Sequence, residues 1–160
     1  MKEKFILDKI SNMTLSEKIG QMIMIDYRNT TEMTVDMEKI LTTYSPGGFI
    51  LFNTNISDYN QTKKLLSEIK STGDIPLTIS TDQEGGRIQK LKSNVGFDEI
   101  PPMLEVGKKM NEEEVFALGK KMGMELKVLV LIWIWLQYLI YSQTQKTKLL
   151  VIDLLEQIVK

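Results

Sequence analysis

Short apolar runs alternate with amphipathic stretches over the first 127 of the 160 residues. Residues 22–25 form an apolar run that ends at Asp26, and 49–52 form a second. A third begins at Pro76, covers 76–80 and leads into Thr81 and Asp82. Runs of this length, bounded by polar or breaker residues, predict strands. Between them the apolar spacing becomes helical. Residues 59–69 place Leu65, Leu66 and Ile69 on one face and Lys63, Lys64 and Glu68 on the other, which predicts an amphipathic helix. Residues 34–41 carry Val35, Met37, Ile40 and Leu41 at mixed helical spacings. Thr14 and Glu17 stand at the spacing of a capping box, so a helical turn is expected from Leu15. Residues 111–127 predict a further helix, with Val115, Leu118, Gly119, Met122 and Leu126 on its apolar side. Pro46-Gly47-Gly48 and 71–74 interrupt the pattern.

Strand, helix, strand, helix, strand with short connections is the pattern of βαβ units and a parallel sheet. A change in composition follows. All ten glycines lie at or before Gly123, all four prolines at or before Pro102, and all ten methionines at or before Met124. Both tryptophans, Trp133 and Trp135, lie beyond that point. Over 128–141 Gln137 is the only polar residue. This run is shorter than the roughly 18 to 20 apolar positions of a membrane span. It reads either as a buried strand or helix or as a segment foreign to the preceding fold.

Composition removes several kinds of chemistry. The chain has no cysteine and no histidine, so thiol nucleophiles, disulfides, an imidazole base and a His-ligated metal are excluded within these residues. Twenty basic and 21 acidic residues give a formal charge of -1, which offers no electrostatic reason to expect nucleic acid. Lys2, Glu3 and Lys4 are followed by a short apolar stretch broken at Asp8 and Lys9. That is unlike a secretory signal, and the cytoplasm is the expected location.

One segment is rich in chemistry. Asp82-Gln83-Glu84-Gly85-Gly86-Arg87 begins where the third strand should end, and parallel α/β sheets bind ligands at that end. A carboxylate there can accept hydrogen bonds from sugar hydroxyls, and Arg87 can bind or orient it bidentately. A solvated loop with local ion pairs is the alternative. Asp26, at the end of the first run, either points into the same pocket or is an ordinary loop aspartate. The glycine pair does not form a dinucleotide fingerprint, and no motif supplies a third ligand to Asp82 and Glu84 for a cation. No metal and no cofactor are expected.

Residues 14–24 (TLSEKIGQMIM), 47–52 (GGFILF), Asn55, Gln61, 76–90 (PLTISTDQEGGRIQK) and Ile100-Pro101 stand in an order that resembles the N-terminal barrel domain of glycoside hydrolase family 3, in its bacterial beta-N-acetylhexosaminidase branch. The resemblance covers about 13–127. It implies an α/β fold of the TIM-type (β/α)8 class. A complete barrel of that kind needs roughly 250 residues, so an incomplete one is expected, with about the first three βα units. The resemblance makes Asp82 the residue that grips hydroxyls of the terminal sugar, and Arg87 a support of the substrate pocket. The branch carries a second arginine where this chain has Lys90, a third substrate-binding position; lysine keeps the charge and loses the planar fork. The substrate implied is an amino-sugar glycoside, with terminal beta-linked N-acetylglucosamine released from peptidoglycan-type fragments. The family retains configuration through an aspartate nucleophile on a later strand, and in this branch a loop histidine carries the proton. No residue here matches those positions, so no catalytic residue is assigned and the 160 residues alone are expected to be inactive.

Relatives continue beyond this helix with DFAP-like, asparagine-rich and G-x-RSFG motifs. A displaced reading of permitted codons for 131–160 recovers DLAP, SNPKN and GDRSFG in order. The expectation is therefore a partial family domain over 1–127 and an out-of-frame hydrophobic tail over 128–160. The alternative readings are an inert fragment of a disrupted hydrolase gene, or one completed by a separately encoded remainder of the barrel. No membrane span is expected.

Overall fold

The computed structural model describes the backbone of residues 2–129 and 133–135. The expected tail therefore lies largely outside the described residues. Helix α1 (Lys2–Asn12) precedes α2 (Leu15–Gly20) and strand β1 (Met24–Ile25). Then come α3 (Val35–Tyr44), β2 (Gly48–Leu51), α4 (Tyr59–Ser71), β3 (Thr78–Gly85), β4 (Ile88–Gln89), α5 (Met103–Lys109), α6 (Glu112–Val128) and β5 (Trp133–Trp135).

Strands β1, β2, β3 and β5 lie side by side and parallel, while β4 folds back antiparallel on β3. This is an α/β fold with an unclosed sheet, an incomplete (β/α)8 barrel. It has one more parallel strand than the three expected. The extra strand, β5, pairs Trp133 with Ser80 and Trp135 with Asp82, inside the segment expected to be foreign. A free edge of β3 needs only a β-prone apolar run to pair with, and 128–141 supplies one.

The capping box at Thr14 forms as expected. Thr14 N–H donates to Glu17 Oε2 at 2.7 Å, and Glu17 N–H donates to Thr14 Oγ1 at 3.2 Å. Asp58 caps α4 by accepting from Gln61 N–H at 2.9 Å, and Asn111 and Glu114 form a second capping box on α6. Leu65, Leu66 and Ile69 of α4 are fully buried against Phe49, Leu51 and Ile79, which face the helical layer. Each such side chain contributes about 1.5–3 kcal/mol of burial. On α6, Val115, Met122 and Leu126 are buried with them. The other face of the sheet is the would-be barrel interior. Ile50 and Ser80 are paired in register there, and Ser80 Oγ donates to Met24 Sδ at 3.3 Å. Asp82 follows Ser80 on that same face.

Candidate functional site

The sequence places the DQEGG segment in a loop after the third strand. Instead, β3 runs on through it to Gly85 and turns into β4, with Gln83 opposite Gln89 and a bulge before Gly85. The two glycines are required at this turn. Gly85 has φ 84° and Gly86 φ 57°, a region L side chains avoid. A Cβ on Gly85 would also stand 2.4 Å from the carbonyl oxygen of Pro101. The turn is thus tucked under the residues that lead into α5, where Gly86 N–H donates to Ile100 O at 2.8 Å.

Folding the strand back carries Lys90 to Asp82. Lys90 Nζ lies 3.3 Å from Asp82 Oδ2, with side chains 21% and 28% exposed. Lys90 N–H also donates to the carbonyl of Asp82 at 3.2 Å. Two of the three expected site residues are therefore in contact at the end of β3. The pair leaves Asp82 Oδ1 without a partner among the described residues, at a half-buried position open to a hydroxyl donor.

Arg87 does not join them. It sits exposed in the hairpin turn and makes no ion pair with a described residue, so the bidentate contact to a carboxylate allowed by sequence proximity is not formed. It lines a cleft of about 260 Å³ with Glu84, Ile88, Pro102, Met103 and Leu104. The hairpin reverses direction between the two residues, so Lys90, eight positions along, reaches Asp82 and Arg87, five along, does not. Asp26 pairs with Arg28 in the loop after β1 and makes no ion pair with Lys90.

Two buried amides that the sequence does not single out brace the hairpin. Gln83 Oε1 accepts from Lys90 N–H and Leu91 N–H, both at 3.1 Å, while its Nε2 donates to Leu91 O at 3.1 Å. Gln89 Nε2 donates to Leu91 O and Asp98 O at 2.6 Å each, and its Oε1 accepts from Ile100 N–H at 3.1 Å. A glutamine in a strand carries no signal by itself. Burial makes it one here, because a buried backbone group must find a partner.

Around Lys90 lies an aromatic ring. Phe52, just past β2, has Lys90 Nζ at 5.9 Å and the Arg28 guanidinium carbon at 4.2 Å from its centroid, within cation–π range. Among the described residues no group of three or more acidic side chains could hold a metal ion, and no helix is long and apolar enough to cross a membrane.

The chain is similar to several known proteins over this region. It is 35% identical over 101 residues to a beta-hexosaminidase of Idiomarina loihiensis, covering 63% of this chain and 30% of that protein. A beta-hexosaminidase of Bordetella pertussis is 36% identical over 96 residues, covering 60% of this chain and 27% of that one. The chain thus spans about a third or less of these relatives. Among solved structures, a glycoside hydrolase family 3 beta-N-acetylglucosaminidase of a Paenibacillus species superposes with a TM-score of 0.71 at 30% identity, over 77% of this chain and 24% of that one. NagZ of Neisseria gonorrhoeae has the same TM-score at 23% identity, over 86% of this chain and 45% of that one, a likeness of fold. Residues 14–136 match the glycosyl hydrolase family 3 N terminal domain, and with three quarters of its length inside that match the chain belongs to this family.

Proposed function

We propose that this chain carries the sugar-gripping part of a glycosidase site for amino-sugar substrates, terminal beta-linked N-acetylglucosamine on peptidoglycan-type fragments in the cytoplasm. The observation that carries the reading is the Asp82–Lys90 pair at the end of β3 in a family 3 domain. Asp82 accepts hydrogen bonds from sugar hydroxyls through the oxygen that Lys90 leaves open. Lys90 holds the carboxylate in place and donates its remaining protons to the same sugar. Arg87 supports the pocket from the turn.

The 160 residues by themselves do not hydrolyse the substrate. A retaining route needs a nucleophile and a proton carrier on opposite sides of the bond. No histidine is present, and Asp82 is held by a lysine in a binding role. The test is the purified chain with an aryl beta-N-acetylglucosaminide and, separately, with N-acetylglucosamine followed by NMR. No turnover is expected, with shifts at Asp82 and Lys90 that disappear in Asp82→Ala. Turnover that co-purifies with the chain and is lost in Asp82→Ala would overturn the assignment.

We propose further that the segment after Lys127 is read out of frame. What supports this is the loss of glycine, proline and methionine beyond Gly123, Pro102 and Met124, together with the motifs recovered by the displaced reading. The family match reaches 136, through a short strand whose demand for apolar residues many sequences meet. Resequencing the codons of 125–160 tests it, and DNA in which no single-base change restores DLAP would remove the proposal. A partner-completed fragment is the second reading, favoured by the open edge of β1.

A further inference from the structure

Just before the turn at Gly85-Gly86 the chain buries a carboxyl group that neither the Asp82–Lys90 pair nor the hairpin uses. Glu84 is 6% exposed, and its side chain makes no hydrogen bond and no ion pair with a described residue. A group enclosed in this way bears the cost of leaving water without the partner that would offset it. Its buried neighbours differ. Gln83 and Gln89 engage both ends of their amides with backbone groups.

Glu84 lines the cleft of about 260 Å³ between the hairpin and the start of α5. Arg87 and Ile88 line it from the hairpin, and Pro102, Met103 and Leu104 from the other side. Close backbone packing sets its shape. A Cβ on Gly86 would stand 2.8 Å from Pro102 Cγ, and Gln89 Oε1 accepts from Ile100 N–H at 3.1 Å. The walls are therefore held in advance, so little ordering is lost on binding. Arg87, the cation among these lining residues, is exposed and makes no ion pair with Glu84.

A ligand suited to this cleft brings a charged N–H donor to Glu84 and an apolar chain to Ile88, Pro102, Met103 and Leu104. A primary ammonium on a short alkyl chain has that form, with three donors at one end and methylene groups behind them. A metal ion fits less well, because a hard cation takes about six to eight oxygen ligands and the cleft offers one carboxyl group.

We propose that this cleft is a binding site for a small primary amine, with Glu84 as the residue that receives the ammonium group. The assignment does not depend on the amino-sugar reading of Asp82 and Lys90.

The experiment titrates the isotope-labelled 160-residue chain with butylammonium chloride and, separately, with butanol, which has the same alkyl chain and no charge. The amine should bind about tenfold more tightly, the gain from one hydrogen bond to a charged group. It should shift the backbone signals of Glu84, Arg87 and Leu104 and leave those of Asp82 and Lys90 in place. In Glu84→Gln the two affinities should converge, with circular dichroism confirming the fold. Arg87→Gln removes the competing cation and should strengthen amine binding. Leu104 is 66% exposed, so Leu104→Lys leaves the fold intact and decides the matter even where the glutamine variant fails to fold. The added charge should weaken the amine about two- to fivefold and leave the alcohol close to its original affinity. Equal affinities for amine and alcohol would overturn the proposal. So would a preference that survives in folded Glu84→Gln, one that disappears in Asp82→Ala instead, or amine binding unmoved by Leu104→Lys.

Discussion

The β3 side of the sheet and the β1 side are built on opposite terms. At β3 the chain folds back on itself, and buried side-chain amides of Gln83 and Gln89 take up the backbone groups that the turn leaves unpaired. At β1 the strand is two residues long, pairs with β2 alone, and is surrounded by exposed apolar side chains. Met22 is 87% exposed, and Leu15, Ile19, Ile23 and Met24 are each more than two fifths exposed. A cleft of about 210 Å³ between α2 and α3 is lined mostly by apolar residues, among them Ile23, Ile40 and Tyr44. The contrast separates two kinds of incompleteness. The backbone of the hairpin at the end of β3 is satisfied from within, whereas the apolar surface at β1 is exposed. The geometry of the β3 hairpin and the closure of the barrel are thus separable properties of this domain.

Gln83→Leu should break the closed side with the largest effect. The substitution leaves Leu91 N–H without its partner in a buried setting, while Lys90 N–H keeps the carbonyl of Asp82 and Leu91 O keeps Gln89 Nε2. The expected loss is about 1–3 kcal/mol. Urea unfolding measures it, and a loss below that of an ordinary surface substitution would mean water reaches the hairpin as readily as the amide does.

Met22→Lys should act on the open side with little effect on folding, within about 0.5 kcal/mol, because the side chain contacts almost nothing. Its effect should appear in association instead. A charge beside an unpaired edge strand opposes edge-to-edge pairing, so light scattering should show association shifted to higher protein concentration. Equal association of the two proteins would mean that another surface drives it.

These two regions were unequally legible in the sequence. Strands β1, β2 and β3 follow from short apolar runs, α4 and α6 from apolar periodicity, and the capping box at Thr14 from spacing. Asp82 and Lys90 were legible as residues of one motif, and their contact was not. It depends on a turn of two glycines and a strand, β4, of two residues, too short to leave a periodic trace. Arg87 looked the better partner for a carboxylate by proximity in sequence, and the reversal of the chain at Gly86 separates them. Helix α1 went unread because Asp8 and Lys9 interrupt its apolar residues, which stay exposed at Ile6, Leu7 and Ile10. Helix α5 follows two prolines and spans seven residues, less than periodicity can register. Asn55 ties the loop after β1 to the end of β2, a contact between segments about 25 residues apart that no local pattern encodes.

The smallest effect is a difference in pH dependence between the two sides. On the open side, Glu17 accepts from the Thr14 backbone and hydroxyl, and these bonds hold its carboxyl below the ordinary value of 4.5. A carboxyl lowered by folding contributes stability that is present above 4.5 and is lost as pH falls through the folded value. On the closed side, burial pushes the Glu125 carboxyl up from 4.5, opposed by the hydrogen bond it accepts from Asp98 N–H at 2.9 Å. A carboxyl raised by folding favours the folded state below 4.5, and that advantage is lost as pH rises through the folded value. Glutamine at either position removes the titration and keeps an acceptor oxygen. Relative to the unaltered chain, Glu17→Gln should flatten the decline in stability below pH 4.5, and Glu125→Gln should flatten the decline that begins above it. Urea midpoints across both windows measure the two slopes separately. If Glu125→Gln changes the acid limb and leaves the upper limb as it was, the closed side is no drier than the open one at this carboxylate, and the contrast between the two regions rests on Gln83 and Gln89 alone.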